Sequence, residues 1–386
     1  MSRSPSAVVR RYYLYKAAAT LGFLSPVWVV LLEQRGLTFT EIALLDAAFY
    51  ATILLAEIPT GYVGDRIGRR NALVVSSIAV GISAVGFGFA ESTVEFLVVY
   101  VAWGVAQTFR TGNESAWLYD TLASSGEAAS FSRIRGRGQA VLFAVTAGAA
   151  LTGGFLATSD LVWPFVATGA VNLVAGVVLL GLPEPEVEAD APTLGLRDAG
   201  QAILRLARPR LRGFVAFVAL FLAVGWTADL YVQPISTRAG VSLVGLGALY
   251  AVMTAGSAIT SNFAGAVRDR FGGTRTLLVL PFVAAIGYLL FAVTTAVAVP
   301  AFVLARGLLS LAQPLAEHHV NDHTPALGRA TVLSGFSMAV SLVTIPLKLL
   351  SGPMADGLGL FTTVAVLGAI LFVGAGVLAT TTDWKS

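Results

Sequence analysis

Apolar runs of roughly 20 residues recur from one end of this 386-residue chain to the other, each about the length a helix needs to cross a bilayer. They leave few architectures open. Hydrophobic residues make up 56% of the chain and charged residues 12%, against about 25% charged in a soluble domain. No soluble fold of this size hides that much apolar surface. Strand pairs would leave backbone groups unpaired in lipid, so the spanning element is the helix. The expected class is all-α, a polytopic membrane protein.

Twelve spans are expected, roughly at 12–34, 40–63, 71–90, 94–121, 132–157, 161–182, 211–236, 242–266, 275–295, 297–321, 330–354 and 359–381. The basic N-terminus (Arg3, Arg10, Arg11, Lys16) precedes an apolar segment too long for a signal peptide, with no small-residue cleavage site. It reads as a retained first span. Lysine and arginine then set orientation. With the N-terminus inside, twenty of them fall on inner segments and two, Arg35 and Arg238, on outer ones. Both termini are expected in the cytoplasm, with the cell membrane as location.

The sixth and seventh spans are separated by the one long connection. Its start, Pro183 to Asp190, is acidic and proline-punctuated. Farther on, Leu196, Ala199, Ile203 and Leu206 recur at helical spacing beside Arg197, Arg205 and Arg208, which suggests a basic helix lying on the membrane surface. The expected division is a six-helix bundle over 1–182, a linker over 183–210 and a second six-helix bundle over 211–386, a parallel repeat.

A glycine-rich charged turn appears in both halves at one offset. Gly61, Asp65, Arg66 and Gly68 correspond to Gly265, Asp269, Arg270 and Gly272. The first copy, Gly61-x-x-x-Asp65-Arg66-x-Gly68-Arg69-Arg70, resembles the signature loop between helices 2 and 3 of the major facilitator superfamily, and the resemblance extends over essentially the whole chain. Glu57-Ile58-Pro59-Thr60-Gly61, Trp117-Leu118-Tyr119-Asp120 and Arg329-Ala330-Thr331-Val332-Leu333-Ser334 are weaker marks of it. The resemblance implies two pseudo-symmetric six-helix bundles and alternating access. It also implies that Asp120 and the motif arginines lock the inner side. The second copy has Gly273-Thr274 where the first has Arg69-Arg70, so the lock is expected to be stronger in the first half. One departure stands out: Ala149-Ala150 replace the Gly-Pro pair of proton-driven drug exporters, although Gly153-Gly154 remain. Gly148, Ala149, Gly153 and Gly154 read as close-packing positions.

Charge inside the spans is the other signal, because each such side chain costs about 2.5–3.5 kcal/mol at mid-bilayer and normally faces protein or water. These residues are Lys16, Asp46, Glu57, Arg110, Glu114, Asp120, Asp229, Arg306, Glu317 and Lys348, while the interiors of spans 3, 6, 9 and 12 have none. The resemblance assigns those four to the scaffold. Arg110 and Glu114, at i and i+4, either form a structural ion pair or divide substrate contact and proton exchange between them. Asp229, Gln233, Arg306 and Lys348 form a second candidate group; Asp229 either serves the substrate or pairs with Lys348. Asp46 joins Glu114 and Asp229 as a proton-coupling candidate, whereas Glu57 and Asp120 read as gate acids.

All three histidines lie in Glu317-His318-His319-Val320-Asn321-Asp322-His323. The spacing is compatible with metal or pH sensing, but the bland reading is a wet helix end stopped by Pro325. Cysteine is absent, the turn lacks a Gly-Lys-Ser/Thr ending, and no nucleophile–base constellation is present. No enzyme, cofactor, resident metal or nucleic-acid partner is expected. The functional expectation is a monomeric, proton-coupled secondary transporter exporting drug-like or metabolite compounds. The alternatives are an importer or facilitator of a polar or anionic nutrient, and a non-transporting receptor or scaffold.

Overall fold

A computed structural model describes residues 5–185, 209–322, 329–382 and 384. The proposed surface helix around 196–208, His323 and Pro325 lie outside the described residues. Among the described residues the secondary structure is helical, with no strand. The helices are α1 (Pro5–Ala18), α2 (Trp28–Gln34), α3 (Phe39–Ile67), α4 (Arg69–Phe89), α5 (Thr93–Arg110), α6 (Asn113–Ser124), α7 (Phe131–Leu156) and α8 (Trp163–Leu180). There follow α9 (Pro209–Ala228), α10 (Val232–Arg238), α11 (Leu243–Phe271), α12 (Gly273–Leu289), α13 (Ala298–Asp322), α14 (Arg329–Leu358) and α15 (Leu360–Thr381).

Among the described residues, ten helical stretches are long and apolar enough to cross a membrane. The other two expected spans, 12–34 and 94–121, are built from broken helices. In the first, α1 stops at Ala18 and α2 begins at Trp28. Pro26 cannot donate to the carbonyl four residues back, which belongs to Gly22, itself a poor helix former. The Gly22 amide turns instead to the Thr20 hydroxyl at 3.0 Å. In the second, Gly112 takes φ 76°, a left-handed conformation that ends α5 and restarts the chain as α6. Span 7 is also interrupted: residues Asp229–Tyr231 form a 3-10 turn between α9 and α10, and Pro234 removes the donor that the Leu230 carbonyl would use.

Two compact units divide the chain. One comprises Met1–Leu31, Ala51–Leu194 and Leu243–Ala251; the other comprises Leu32–Tyr50, Gly195–Ser242 and Val252–Ser386. In the first, α4 packs most extensively against α8, and in the second α12 packs most extensively against α15. All four belong to the spans whose interiors hold no charge. Phe87 stacks on Phe165 with centroids 5.0 Å apart. Small residues set other approaches in the first unit. A Cβ added to Gly154 would meet the Leu243 carbonyl oxygen at 2.6 Å and the Gly247 Cα at 2.9 Å, so α7 and α11 approach backbone to backbone there. A Cβ on Gly148 meets nothing within 4 Å; close packing does not explain that glycine.

Candidate functional site

The breaks explain where the membrane charges lie. In the first unit the Ala19 and Thr20 carbonyls lose their helical partners where α1 ends. Arg110 Nη1 donates to the Ala19 carbonyl at 3.3 Å, and the Asn172 amide donates to the Thr20 carbonyl at 3.0 Å. Arg110 Nη2 also reaches the Asn172 Oδ1 at 3.4 Å, and the Thr20 and Thr146 hydroxyls bond at 2.9 Å. Unwound backbone at membrane depth persists only where protein satisfies it. Arg110 also occupies the last turn of α5. Two helix C-termini, each equivalent to about −0.5 charge, therefore converge on one guanidinium.

Glu114 faces the opposite dipole, in the first turn of α6. Its ion-pair partner is Lys16, not Arg110: Lys16 Nζ lies 2.6 Å from Glu114 Oε1. Tyr12 and Tyr15 donate their hydroxyls to the same carboxylate at 3.2 and 3.5 Å. Lys16 is buried. The i,i+4 spacing of Arg110 and Glu114 does not bring them together because Gly112 breaks the helix between them.

The second unit repeats the device with other residues. Where α9 ends, the Trp226 carbonyl accepts from Lys348 Nζ at 2.9 Å. Lys348 Nζ also lies 2.5 Å from Asp46 Oδ2 and 5.0 Å from the Tyr50 ring centroid; its side chain is 1% exposed. Asp229 pairs not with Lys348 but with Arg306, Nη1 to Oδ1 at 2.9 Å. Tyr50 stacks on Trp226 with centroids 5.9 Å apart. Gln233 is fully buried on α10.

Around the first glycine-rich turn, Arg69 donates to Asp120. Glu184, which from sequence is only a linker acid, accepts from the Arg70 amide at 3.0 Å and the Asn71 amide at 3.3 Å. It thus supplies the N-terminal cap that Gly68 cannot, and Arg70 Nη1 donates to the Leu182 carbonyl at 3.1 Å. Trp117 Nε1 holds the adjacent Pro183 carbonyl at 2.9 Å. Gly68 has φ 92°, and a Cβ there would meet the Glu184 carboxyl carbon at 2.7 Å. Asp65 is exposed, so the bonds of this turn run through Arg69, Arg70 and Glu184. Arg66 lies over the Tyr62 ring at 4.3 Å, and a Cβ on Gly61 would meet open space.

In the second copy Arg268 bonds its neighbour Asp269, whose side chain is 68% exposed. Arg270 lies 5.6 Å from the Phe271 ring centroid, a Cβ on Gly265 meets open space, and Gly272 has φ 83°. Glu184→Ala is expected to cost about 1 kcal/mol, the usual value of a lost N-cap; Gly68→Ala costs more, since it adds backbone strain and displaces the same acid. Thermal unfolding of the purified variants in detergent checks the order.

In the histidine stretch, His318 Nδ1 lies 3.1 Å from Asp322 Oδ2, and His319 stacks on Phe214 with centroids 4.0 Å apart. No group of three metal-ligating side chains occurs among the described residues.

Helices long and apolar enough to span a bilayer, two of them broken with ion pairs seated at the breaks, define a polytopic membrane protein. The family profile of the Major Facilitator Superfamily matches residues 17–346, and the chain belongs to that family. A crystal structure of the nucleoside transporter NupG has the same fold, with a TM-score of 0.81 at 12% identity over 99% of this chain and 100% of that one. An uncharacterized MFS-type transporter of Methanocaldococcus jannaschii is 28% identical over 91 residues, 24% of each chain. The putative metabolite transport protein YaaU of Escherichia coli K12 is 36% identical over 106 residues, 26% of this chain and 24% of its own. The matched stretches thus span about a quarter of the length of these curated relatives.

Proposed function

We propose that the protein is a secondary transporter that carries a small polar solute by alternating access, coupled to protons through Glu114. The observation that supports this most is the seat of Glu114. Glu114 stands at the start of a half-helix, bonded to a buried lysine and to two tyrosine hydroxyls, all three of them on α1. Any movement of α1 against α6 therefore breaks these bonds together. A carboxylate with such a conditional partner converts a proton gradient into a conformational preference.

The paired charges in both units favour a polar solute over a lipophilic one, which is the second of the two transporter expectations from sequence. The arginine and lysine bias supports cytoplasmic termini and a place in the cell membrane. The relatives named for transport, YaaU among them, support the general activity.

Flux of radiolabelled amino acids, sugars and small carboxylates into proteoliposomes tests the coupling. An imposed pH gradient should drive accumulation of the transported solute. Glu114→Gln should abolish accumulation while leaving downhill equilibration. Equal accumulation by both proteins would exclude Glu114 as the coupling acid.

A further inference from the structure

The first two turns of α7 carry charge that the protein itself does not answer. Arg133, Arg135 and Arg137 are all exposed, and no acid stands in the first turn of this helix. Arg133 Nη2 donates to the Ser130 hydroxyl at 2.9 Å, and Arg135 lies 6.0 Å from the Phe131 ring centroid. None of the three takes part in an ion pair among the described residues. Arg133 and Arg137, one turn apart, share a face and repel each other. Both also sit at the positive end of the helix dipole, where cations are disfavoured. Arg135, two residues from each, lies on the other side of the helix.

The face that begins at Arg133 and Arg137 stays uncovered along the whole span. Ala140, Ala144, Gly148, Leu151 and Phe155 continue it at three- and four-residue spacing, and all five are exposed. The opposite side packs on the first span. A Cβ on Gly138 would meet the Tyr12 ring at 2.7 Å, one on Gly153 would run into the Phe23 carbonyl, and Thr146 bonds Thr20. A stripe opposite the packed side borders the bilayer, and this span is the least buried of the ten. Its first part, Ala140, Ala144 and Gly148, is a shallow track of small residues. The rise from Arg137 to Gly148 is about 16 Å, about the hydrocarbon depth of one leaflet. The bulky Leu151 and Phe155 begin only beyond it.

From the unanswered arginines and the track that starts at them, we infer that α7 binds one anionic phospholipid from the leaflet at its arginine end. The headgroup phosphate bridges Arg133 and Arg137, and one acyl chain lies along Ala140, Ala144 and Gly148. The phosphate turns the repulsion between the two guanidiniums into two charge-assisted contacts. A free anion would gain those contacts only, whereas a lipid also follows the apolar face that continues from them. The site selects net negative charge as well, because a choline headgroup brings a second cation to a place with no acid to receive it. The track also accounts for Gly148, whose missing side chain leaves room for a lipid tail rather than for a neighbouring helix.

The test titrates the purified full chain in detergent micelles with dioleoylphosphatidylglycerol, with dioleoylphosphatidylcholine, which has the same chains, and with inorganic phosphate. Affinity is read from the rise in apparent melting temperature. Phosphatidylglycerol should act at a mole fraction about tenfold or more below that of phosphatidylcholine, and phosphate should have no effect. Arg137→Gln should weaken phosphatidylglycerol binding about fivefold, the worth of one arginine near an anionic lipid surface. Arg135→Gln removes the same charge from the other side of the helix and should leave binding unchanged. Gly148→Leu fills the track without meeting a neighbour, so it should weaken lipid binding while the lipid-free melting temperature holds or rises. Equal action of the two lipids, equal losses in Arg135→Gln and Arg137→Gln, or full binding by Gly148→Leu would each overturn the inference. Stabilisation by phosphate alone would overturn it too, by assigning the arginines to a free anion.

Discussion

Lys348→Met should destabilise the protein by about 3–5 kcal/mol, the range for removing one partner of a buried ion pair. The expected sign rests on what remains. Asp46 would be left beside the Trp226 carbonyl, at the negative end of α9, without the ammonium that bridges them now. Aliphatic burial alone cannot offset that, because Met fills most of the lysine stem but supplies no charge. The double variant Asp46→Asn/Lys348→Met removes the orphaned acid and should recover a large part of the loss. Reversible unfolding in mixed micelles gives both values. A double variant no more stable than the single one would show that the pair's charge is not what holds this region.

The second large effect is expected at Arg110. Its replacement by Leu uncaps the Ala19 carbonyl and removes the cation on which the C-termini of α1 and α5 converge. Hydrogen bonds to charged groups are worth about 1.5–3 kcal/mol each, and these are long, so about 2–3 kcal/mol in total is expected. Arg110→Lys keeps the charge and should retain part of the stability. Amide hydrogen exchange should accelerate between residues 19 and 27, where α1 is already broken. A loss within about 0.5 kcal/mol, the usual range of a surface change, would assign the break's stability to Asn172 and Thr146 instead.

These two cations show what separates legible features from hidden ones. From sequence, Arg110 and Glu114 stand four residues apart and look like partners, as do Asp229 and Lys348 by their placement. Neither pairing occurs. Gly112 carried the signal for the first: a glycine after Thr111 inside an otherwise helical span marks a possible left-handed turn, and once the helix breaks, the i,i+4 rule no longer applies. Gly22 and Pro26 carried a similar signal in the first span. For the second pair no local signal exists, since Lys348, Asp46 and Asp229 come from three helices distant in sequence. Glu184 is a parallel case. Its proline-rich surroundings identify a connection, but its role as the cap of α4 depends on chain that returns 114 residues later.

What the sequence alone determined is the membrane class, the apolar runs, the helices free of interior charge and the family, because each follows from local composition or from short motifs. A run of apolar residues must be helical in lipid whatever its neighbours are, and the glycine-rich turn is recognisable within ten residues. What only the tertiary structure decided is which charge answers which. Buried ions are so costly that every one must find a partner, yet the partner is chosen by three-dimensional proximity, and a one-residue break in a helix redirects the choice. The chain therefore announces that it holds charge within its spans, and the fold determines that Lys16 pairs with Glu114, Lys348 with Asp46 and Arg306 with Asp229.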